Sequence, residues 1–510
     1  MNYSPKGMYV WDAWYMSVDD KVHMYHLQQS RTEPDDPKGA QAWIGHAVTS
    51  NLIDWEEYEP AFGPDPNNDH DDIRPYTGCA VWYEGRGYFF YTMRGSNDNG
   101  RTQAIGLAFS DDGFHWERYS NNPVIIPDQE WYASVGNPIP ELLDCRDLVV
   151  VADPDGKGWY GYYATRIPGT ELPETSVIAC VSSVDLIHWE HLPPAFAPNK
   201  YAVIEVPDVF KLNGKWYMTC LTGEHYGNRG IFSDPNIREG TIYAVADNPQ
   251  GPFVELNDNV LIGAHTAALL SCRTVLFKEE RYIMYTDRER CNRSDSGGSA
   301  YGTISTPKLL DTDGDRLFVK YSPLIELHVI DELITPDKPP VIEQDTELRV
   351  WPYHWRMSSV KWVRSADGIT GSSRTGWGVL SFDESAESFI YEADITIEEG
   401  GSAGLAIRFD DHNYGAIVAL DATEQSVFYG ETMEFNFVEK RLSKICIARP
   451  FHLSIINRLE HVEVYLDDEL KLAFSRYRGI GGHIGLFVDR AQARFENIRF
   501  RVLNVSRTDI

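Results

Sequence analysis

The sequence predicts an all-β protein: a five-bladed β-propeller followed by a C-terminal β-sandwich. Three observations predict this fold. A short Trp-Glu segment recurs through the first two thirds of the chain, hairpins of alternating apolar and polar residues fill the spaces between its copies, and helical periodicity is nearly absent.

The Trp-Glu repeat defines the blades. Its copies are "TSNLIDWEEYEPAF" at Trp55, "FSDDGFHWERYSNNPVI" at Trp116 and "SSVDLIHWEHLPPAF" at Trp189, with Phe253 in a weaker fourth copy. The spacing of roughly 60 to 70 residues fits four strands per unit. We interpret the tryptophans as packing between blades, with no part in chemistry. The predicted units are 8–58, 75–118, 145–190, 203–255 and 262–325.

The chain changes character after the fifth unit. Residues 326–345, "ELHVIDELITPDKPPVIEQD", combine paired prolines with acids, which is typical of a linker. The strands that follow alternate again but lack the repeat, as expected of one sandwich. The sequence thus predicts a propeller over 1–330, a linker over 331–345 and a sandwich over 346–510.

The composition narrows the classes of partner. The 510-residue chain has a formal net charge of -30 and no basic stretch for phosphates, so we expect neither nucleic acid nor a membrane as partner. The seven cysteines are scattered, and no pair has zinc-ligand spacing. Their odd number and scatter do not suggest a disulfide framework, which favours a reducing compartment. The N-terminus lacks a signal-peptide pattern, so a cytoplasmic location is expected. The sequence leaves the oligomeric state open.

Three acidic residues stand near the start of the first strand of different units. They are Asp12, Asp147 with Arg146 beside it, and Glu205. The inner strands of a propeller surround one channel, so we expect these side chains to meet at its mouth. Three carboxylates in one pocket repel each other, which indicates a functional reason for keeping them.

Glycoside hydrolysis supplies such a reason, since it needs one protonated acid and one ionised carboxylate. We expect the neighbouring carboxylates to keep one of them protonated, and Arg146 to keep Asp147 ionised. Asp12 lies between Trp11 and Trp14, and these aromatic walls are expected to exclude water and pack against a sugar. The substrate class predicted is therefore a carbohydrate.

The segment "VWDAWYM" around Asp12 resembles the Val-Trp-Asp-Ser-Trp motif of glycoside hydrolase family 68, and four further segments resemble family 32. "QAWIGHAVTSNLIDWEEYEPAF" is similar to the family 32 pattern Trp-Gly-His-Ala-x-Ser-x-Asp-Leu-x-His-Trp, and "YTGCAVWYEGRGYFFYT" is similar to its Phe-Ser-Gly-Ser-Ala segment. "CRDLVV" resembles its Arg-Asp-Pro motif, and "IEVPDVF" its Glu-Cys-Pro-Asp-Phe motif. Leu148 and Val206 replace the family's Pro and Cys, which leaves the exact sugar open.

The resemblance implies a retaining exo-β-fructofuranosidase that needs no metal or other cofactor, with sucrose or inulin- or levan-type oligosaccharides as substrates. It implies that Asp12 is the nucleophile, Asp147 the transition-state stabiliser and Glu205 the general acid/base. The residues expected to bind the sugar are Trp11, Gln28, Trp43 and Arg146.

Three alternatives stay open at this point. The chain also resembles family 43, whose propellers cleave arabinofuranosides and xylosides with inversion, and His265 would occupy that family's fifth-blade position. Fructosyl transfer in place of hydrolysis is the second alternative, because water and a sugar hydroxyl compete for one intermediate. A non-catalytic sugar-binding protein is the third.

Overall fold

The computed structural model describes residues 2–31, 43–133, 144–168, 174–232, 237–264, 269–297, 299–340, 360–365, 368–409, 415–431, 437–442, 450–477, 479 and 481–505. His265 lies outside these residues. The chain divides into two compact units, one comprising Met1–Glu289 and Ser299–Val319 and the other Arg290–Gly298 and Lys320–Arg507. In the described part of the chain, no helix is both long and apolar enough to cross a bilayer.

The first unit is the predicted five-bladed propeller. Within blades 1 to 4 the strands pair antiparallel in chain order, and in blade 5 the second strand pairs antiparallel with the first and with the fourth. Blade 1 contains β1 Met8–Val18, β2 Lys21–Ser30, β3 Gly45–Thr49 and β4 Glu56–Tyr58, and blade 2 contains β5 Tyr76–Tyr83, β6 Arg86–Met93, β7 Ala104–Ser110 and β8 Glu117–Arg118. Blade 3 contains β9 Arg146–Ala152, β10 Trp159–Arg166, β11 Ser176–Ser183 and β12 Glu190–Phe196, and blade 4 contains β13 Glu205–Leu212, β14 Lys215–Gly223, β15 Glu239–Ala246 and β16 Val254–Ala264. Blade 5 contains β17 Leu269–Phe277, β18 Glu280–Arg290, β19 Ser299–Ile304, β20 Lys308–Asp313 and β21 Arg316–Lys320.

The five inner strands form a ring. Each inner strand packs beside the inner strand of the next blade, and β17 packs beside β1. The N-terminal segment joins the last blade to the first. Tyr3 N donates to Ile304 O at 2.7 Å, Ile304 N donates to Tyr3 O at 2.9 Å, and Val10 pairs with Gly302. First and last blades are therefore linked by backbone hydrogen bonds, which opposes opening of the ring.

The turn residues explain the hairpin between β13 and β14. Between β13 and β14 the turn residues Asn213 and Gly214 have φ of 47° and 88°, as a type I′ turn requires. This turn matches the right-handed twist of the strands, and Asn-Gly is its preferred sequence.

The residues of the Trp-Glu repeat have two structural roles: they form a turn, and they pack between blades. In the three copies that contain Trp, one side-chain oxygen of an Asn or Asp accepts two successive backbone N–H groups, as Asp112 Oδ1 does from Phe114 and His115 at 2.7 and 2.8 Å. Asn51 and Asp185 form the same turn.

The repeated aromatic ring then packs on the preceding blade. Trp116 contacts Tyr25 of blade 1, Trp189 contacts Phe90 of blade 2 and Phe253 contacts Tyr162 of blade 3, with ring centroids 5.8, 5.7 and 6.4 Å apart. The interpretation of these rings as inter-blade packing is confirmed for these three copies.

The second unit is the predicted β-sandwich. Its strands are β22 Val329–Ile334, β23 Val360–Ser365, β24 Gly368–Ser373, β25 Trp377–Ser385, β26 Ser388–Phe409, β27 Ala416–Asp421, β28 Ser426–Glu431, β29 Phe437–Leu442, β30 Phe451–Arg458, β31 His461–Leu466, β32 Glu469–Ser475 and β33 His483–Leu503. The predicted linker starts at residue 331, whereas the structure has a strand over Val329–Ile334 that pairs with β33. Residues 341–345 lie outside the described residues. Short 3-10 helices cover Ser96–Asp98, Glu224–Tyr226, Cys291–Arg293 and Pro323–His328.

Two long strands organise the sandwich. The first half of β26 pairs with β30 and its second half pairs with β27, while β33 runs beside β26 along most of its length. Register shifts in the β26–β33 ladder bend both strands between the two layers. Buried residues such as Phe389, Leu405 and Phe495 fill the space between the layers.

Candidate active site

A β-bulge interrupts the inner strand of every blade near its start. Each bulge shows as a register shift between the inner strand and its hairpin partner. The residues in the bulges are Trp11–Asp12 in β1, Thr77 in β5, Asp147–Leu148 in β9, Val206–Pro207 in β13 and Leu270–Ser271 in β17. Bulges turn side chains out of the normal alternation. The bulges near the starts of the inner strands therefore direct polar side chains, such as those of Asp12, Thr77 and Ser271, toward one another.

Asp12 lies in the bulge of β1, near the start of the strand as the sequence predicts. The inner strand simply continues on both sides of the bulge. The hydroxyl of Thr77 donates to Asp12 Oδ2 at 2.5 Å, and the hydroxyl of Ser271 donates to Oδ1 at 2.8 Å. The carboxyl group is therefore held from the two neighbouring blades.

The electrostatic environment of Asp12 contains opposing effects. Burial raises the pKa of Asp12, and the nearby charge of Glu205 raises it further. The hydrogen bonds from Thr77 and Ser271 and the charge of Arg273 lower it. Three groups thus favour the ionised form of a carboxyl group whose burial disfavours it.

Asp147 is buried in the bulge of β9 with a left-handed φ of 64°. Val206 N donates to Asp147 Oδ2 at 3.0 Å, and Arg273 Nη2 donates to the Asp147 carbonyl at 3.2 Å. These bonds connect blade 3 to blades 4 and 5 across the ring and fix a strained backbone.

The expectation that Arg146 keeps Asp147 ionised is not met. Burial raises the pKa of Asp147 to about 8; Arg146 opposes this shift, and the charges of Glu205 and Asp12 add to it. The reason lies in how Arg146 is shared. Its guanidinium lies 2.7 Å from Asp144, 3.1 Å from Glu205 and 3.5 Å from Asp147, so Asp147 is the most distant of the three carboxyl groups.

Glu205 is the first residue of β13 and precedes the bulge there. Arg146 Nε and Nη2 donate to Glu205 Oε2 at 3.2 and 3.1 Å. The hydroxyl of Tyr226 donates to Oε1 at 2.5 Å. Both oxygens of this carboxyl group are thereby oriented.

The three predicted acids therefore belong to one electrostatic cluster. The charge of Glu205 acts on both Asp12 and Asp147, and that of Asp12 acts on Asp147. Such coupling requires the groups to lie close together in a poorly solvated place. The structure thus brings together residues that are far apart in the chain.

The predicted sugar-binding residues other than Arg146 differ in their contacts and exposure. Trp11 stacks on Tyr301 with ring centroids 4.2 Å apart, and Arg74 lies 5.2 Å from its ring. Gln28 is buried opposite Val10 in the β1–β2 ladder. Trp43 is 43% exposed, and its role at the sugar stays a prediction.

Trp14 does not form a wall of the pocket. It is 2% exposed and packs against Phe89 inside the propeller core, with ring centroids 5.7 Å apart. The bulge at Trp11–Asp12 explains this outcome, because it changes the side-chain alternation within β1.

Sequence reasoning missed five polar residues of this cluster. They are Thr77, Tyr226, Glu239, Ser271 and Arg273. Thr77 and Ser271 could have been found, since each stands near the start of its blade's first strand, as Asp12 does. The other three gave no sequence signal, because their positions depend on the strand face and on loop conformation.

Two of these residues are charged groups buried without full hydrogen bonding. Glu239, in β15, is 1% exposed and neither carboxyl oxygen has a hydrogen-bond partner. Burial raises its pKa to about 7; Arg288 lowers the pKa and Glu205 raises it. Arg273, in β17, is 3% exposed, and its Nε has no partner.

No group of three His, Cys, Asp or Glu side chains among the described residues is arranged to hold a metal ion. What the cluster offers is carboxyl chemistry: a hydrogen-bonded acid at Asp12, a second at Glu205 with two donors, and a third at Asp147. Paired carboxyl groups of this kind serve as nucleophile and proton donor at an acetal carbon.

A family model described as "Glycosyl hydrolases family 32 N-terminal domain" matches residues 5–321. The chain is 29% identical over 177 residues to an invertase of Schizosaccharomyces pombe, which covers 33% of this chain and 28% of that protein. It is 26% identical over 269 residues to a levanase of Bacillus sp., which covers 46% of this chain and 26% of that protein. The matched segments thus span less than a third of either relative.

Solved structures share the fold over nearly the whole chain. The fructan 1-exohydrolase IIa of Cichorium intybus superposes with a TM-score of 0.70 at 14% identity, covering 99% of this chain and 97% of that one.

Proposed function

The chain belongs to glycosyl hydrolase family 32, and from this premise we propose that it is a retaining exo-glycosidase acting on terminal β-fructofuranosides. Its substrates would be sucrose or inulin- and levan-type oligosaccharides, cleaved through a covalent fructosyl-enzyme. The observation that carries the proposal is the cluster of Asp12, Asp147 and Glu205, contributed by three blades.

Asp12 is assigned as the nucleophile. A nucleophilic carboxylate must be ionised, and the hydroxyls of Thr77 and Ser271 and the charge of Arg273 favour that form. In the first step an Asp12 oxygen bonds to the anomeric carbon while the glycosidic bond breaks. The bonding electrons pass to the leaving oxygen.

Glu205 is assigned as the acid and then the base. In the first step it gives its proton to the leaving oxygen. In the second step a water molecule attacks the anomeric carbon, Glu205 takes the proton from that water, and Asp12 leaves as a carboxylate. Arg146 orients Glu205 through two hydrogen bonds to the same oxygen.

Asp147 is assigned as the group that binds sugar hydroxyls near the reacting carbon. The pKa of Asp147 is raised, and a protonated Asp147 carries no charge to repel the other two acids. Only Asp12 and Glu205 then change their charge during the reaction. A protonated carboxyl group also has a hydrogen-bond donor to offer a sugar oxygen.

A substrate panel with stereochemical analysis tests the proposal. The purified chain is incubated with sucrose, 1-kestose, inulin and levan, and with an arabinofuranoside and a xyloside for comparison. We expect fructose release from the fructosides, with the β-anomer appearing first by NMR. Release of sugar from the comparison substrates alone, first appearance of the inverted anomer, or no cleavage by the folded protein would each overturn the assignment.

A further inference from the structure

Tyr226 contacts the proposed acid/base from a loop outside the inner strands. It ends the short 3-10 helix Glu224–Tyr226, which follows β14 directly. Its hydroxyl donates to Glu205 Oε1 at 2.5 Å. Gly223 immediately precedes the helix, and a Cβ there would lie 2.6 Å from the carbonyl oxygen of Arg238, so a side chain would push the loop away from β15.

Buried hydrogen bonds fasten this loop to the segment that leads into Glu205. Asn228 Nδ2 donates to the Val203 carbonyl at 2.9 Å, and Asn228 Oδ1 accepts from Ala202 N at 2.7 Å. Thr222, on the other side of the helix, donates to the same Val203 carbonyl at 2.8 Å. Tyr226 and Glu205 are therefore held by the same stretch of backbone, which keeps their distance fixed.

The two oxygens of Glu205 face chemically different partners. Oε2 accepts two N–H groups of Arg146, and a guanidinium can only donate. Oε1 faces a hydroxyl group, which can donate or accept. A proton on Oε2 would meet the N–H groups of Arg146, so the proton of neutral Glu205 belongs on Oε1.

We propose that Tyr226 is a positioning residue that keeps Oε1 of Glu205 as the oxygen that gives up the proton in cleavage and takes a proton from water in the second step. It accepts from the carboxylic acid before glycosidic cleavage and donates to the carboxylate that remains afterwards. In cleavage the proton leaves Oε1 for the departing oxygen, which takes the electrons of the broken C–O bond. The inference rests on the proposed function, because it assigns Glu205 the acid/base role.

Other charged groups also act on this place. Arg146 and Asp147 face Glu205 from β9, Asp12 faces it from β1, and Glu239 faces it from β15. Each is unchanged in a Tyr226→Phe variant, so a comparison of that variant with the wild type isolates the hydroxyl. Burial and the charge of Glu205 raise the pKa of Tyr226 well above its usual value, so the hydroxyl stays neutral at working pH.

The test compares Tyr226→Phe with the wild type on two fructosyl donors. Sucrose has a sugar alkoxide as leaving group and needs a proton; β-fructofuranosyl fluoride has a leaving group that needs little acid assistance. We expect kcat/KM on sucrose to fall by about 10- to 100-fold, less than most of the roughly 10²- to 10⁴-fold contribution of a general acid, because Glu205 itself is retained. On the fluoride we expect a change of less than about threefold.

The pH profile supplies a second readout. A hydroxyl donating to a carboxylate stabilises the charged form more than the neutral form, and Tyr226→Phe removes this donor. We therefore expect the basic limb of kcat/KM to move to higher pH. Tyr217→Phe is the matched control: it removes a buried hydroxyl from β14 that has no hydrogen-bond partner, and neither readout should change.

The outcomes separate the two proposals. A wild-type protein that cleaves no fructoside refutes the proposed function before any variant is needed. If the wild type is active and folded Tyr226→Phe keeps its sucrose rate and pH profile, the positioning role alone is refuted. Equal losses on sucrose and the fluoride, with an unshifted basic limb, would also overturn it, since they indicate general damage to the pocket.

Discussion

The hydroxyl of Ser271 donates to Asp12 Oδ1 at 2.8 Å, from the bulge of blade 5 to the bulge of blade 1. The two residues are 259 positions apart, and closure of the ring brings them together. The contact gives the buried carboxyl group of Asp12 a donor that favours its ionised form.

Removal of this donor should alter the acid side of the pH profile. In Ser271→Ala the pKa of Asp12 rises further above its usual value, because one of the hydrogen bonds that lower it is lost. A nucleophile is active above its pKa, so the acidic limb of kcat/KM moves to higher pH, by about one unit for a charge-assisted bond.

The control for this measurement is Ser183→Ala, which removes a hydroxyl from an outer turn of blade 3. Its acidic limb should match that of the wild type. An unchanged limb in Ser271→Ala would show that the serine does not stabilise ionised Asp12.

Isosteric replacement of the two proposed reacting acids should abolish most activity without unfolding the protein. Asp12→Asn should reduce kcat by about a thousandfold or more on every fructosyl donor, since no nucleophile remains. Glu205→Gln should reduce it by about 10²- to 10⁴-fold on sucrose and much less on β-fructofuranosyl fluoride. Thermal unfolding checks the fold, and wild-type turnover by either variant would contradict the assignment.

The charge of Arg273 should matter separately from its hydrogen bond. Arg273→Met removes a cation that lowers the pKa of Asp12, so the acidic limb moves to higher pH. It also removes the donor to the Asp147 carbonyl, and an unsatisfied buried acceptor costs about 1–3 kcal/mol of stability.

Arg273→Lys keeps the charge and should keep the acidic limb near its wild-type position. The control is Arg281→Met, which removes a cation of β18 that is not among the groups acting on Asp12. An acidic limb that is the same in Arg273→Met and the wild type would contradict the electrostatic role. Chemical denaturation reports the stability change.

Glu239 should make the stability of the protein fall with pH. Its pKa is raised in the folded state from 4.5 to about 7, so between these values the folded protein holds a proton that the unfolded chain has lost. The free energy of unfolding therefore decreases from about pH 4.5 to about pH 7 and this effect is complete above that window.

Denaturation curves of the wild type and Glu239→Gln across pH 4–8.5 measure the effect. The difference in unfolding free energy should grow in favour of the variant by about 3–4 kcal/mol through the window, since the pKa rises from 4.5 to about 7 and each pKa unit corresponds to about 1.36 kcal/mol. Parallel pH dependences would show that Glu239 is not buried as an unpartnered acid.

The blades could be predicted from sequence because a local pattern, an Asx turn followed by an aromatic residue, recurs along the chain. The Asx turn and the aromatic residue that follows it recur before the outer strands of blades 1, 2 and 3, at Asn51, Asp112 and Asp185, and blade 4 keeps the aromatic residue as Phe253. The positions of Asp12, Asp147 and Glu205 could be predicted because blades are equivalent. Their hydrogen-bond partners could not, since Tyr226 and Arg273 reach the site through loop conformation and ring closure, which have no sequence pattern.

The sandwich shows the same division. Alternation predicted its strands, but Ser388–Phe409 and His483–Leu503 each read as ordinary strands, and their register shifts, which carry one strand into two layers, become visible only through pairing. Trp14 illustrates the cost of missing a bulge, because simple proximity to Asp12 suggested a pocket wall where the structure has core.

The five bulges have a consequence for how new specificities could arise in this architecture. Three of them carry the hydroxyl or carboxyl groups Asp12, Thr77 and Ser271 that meet in hydrogen bonds, yet the backbone distortion is the same kind in every blade. The side chain at each bulge can therefore be replaced while the strand pairing on both sides of the bulge is kept. A change of chemistry would then require substitutions at a few bulge positions, and the backbone of the propeller would remain unaltered.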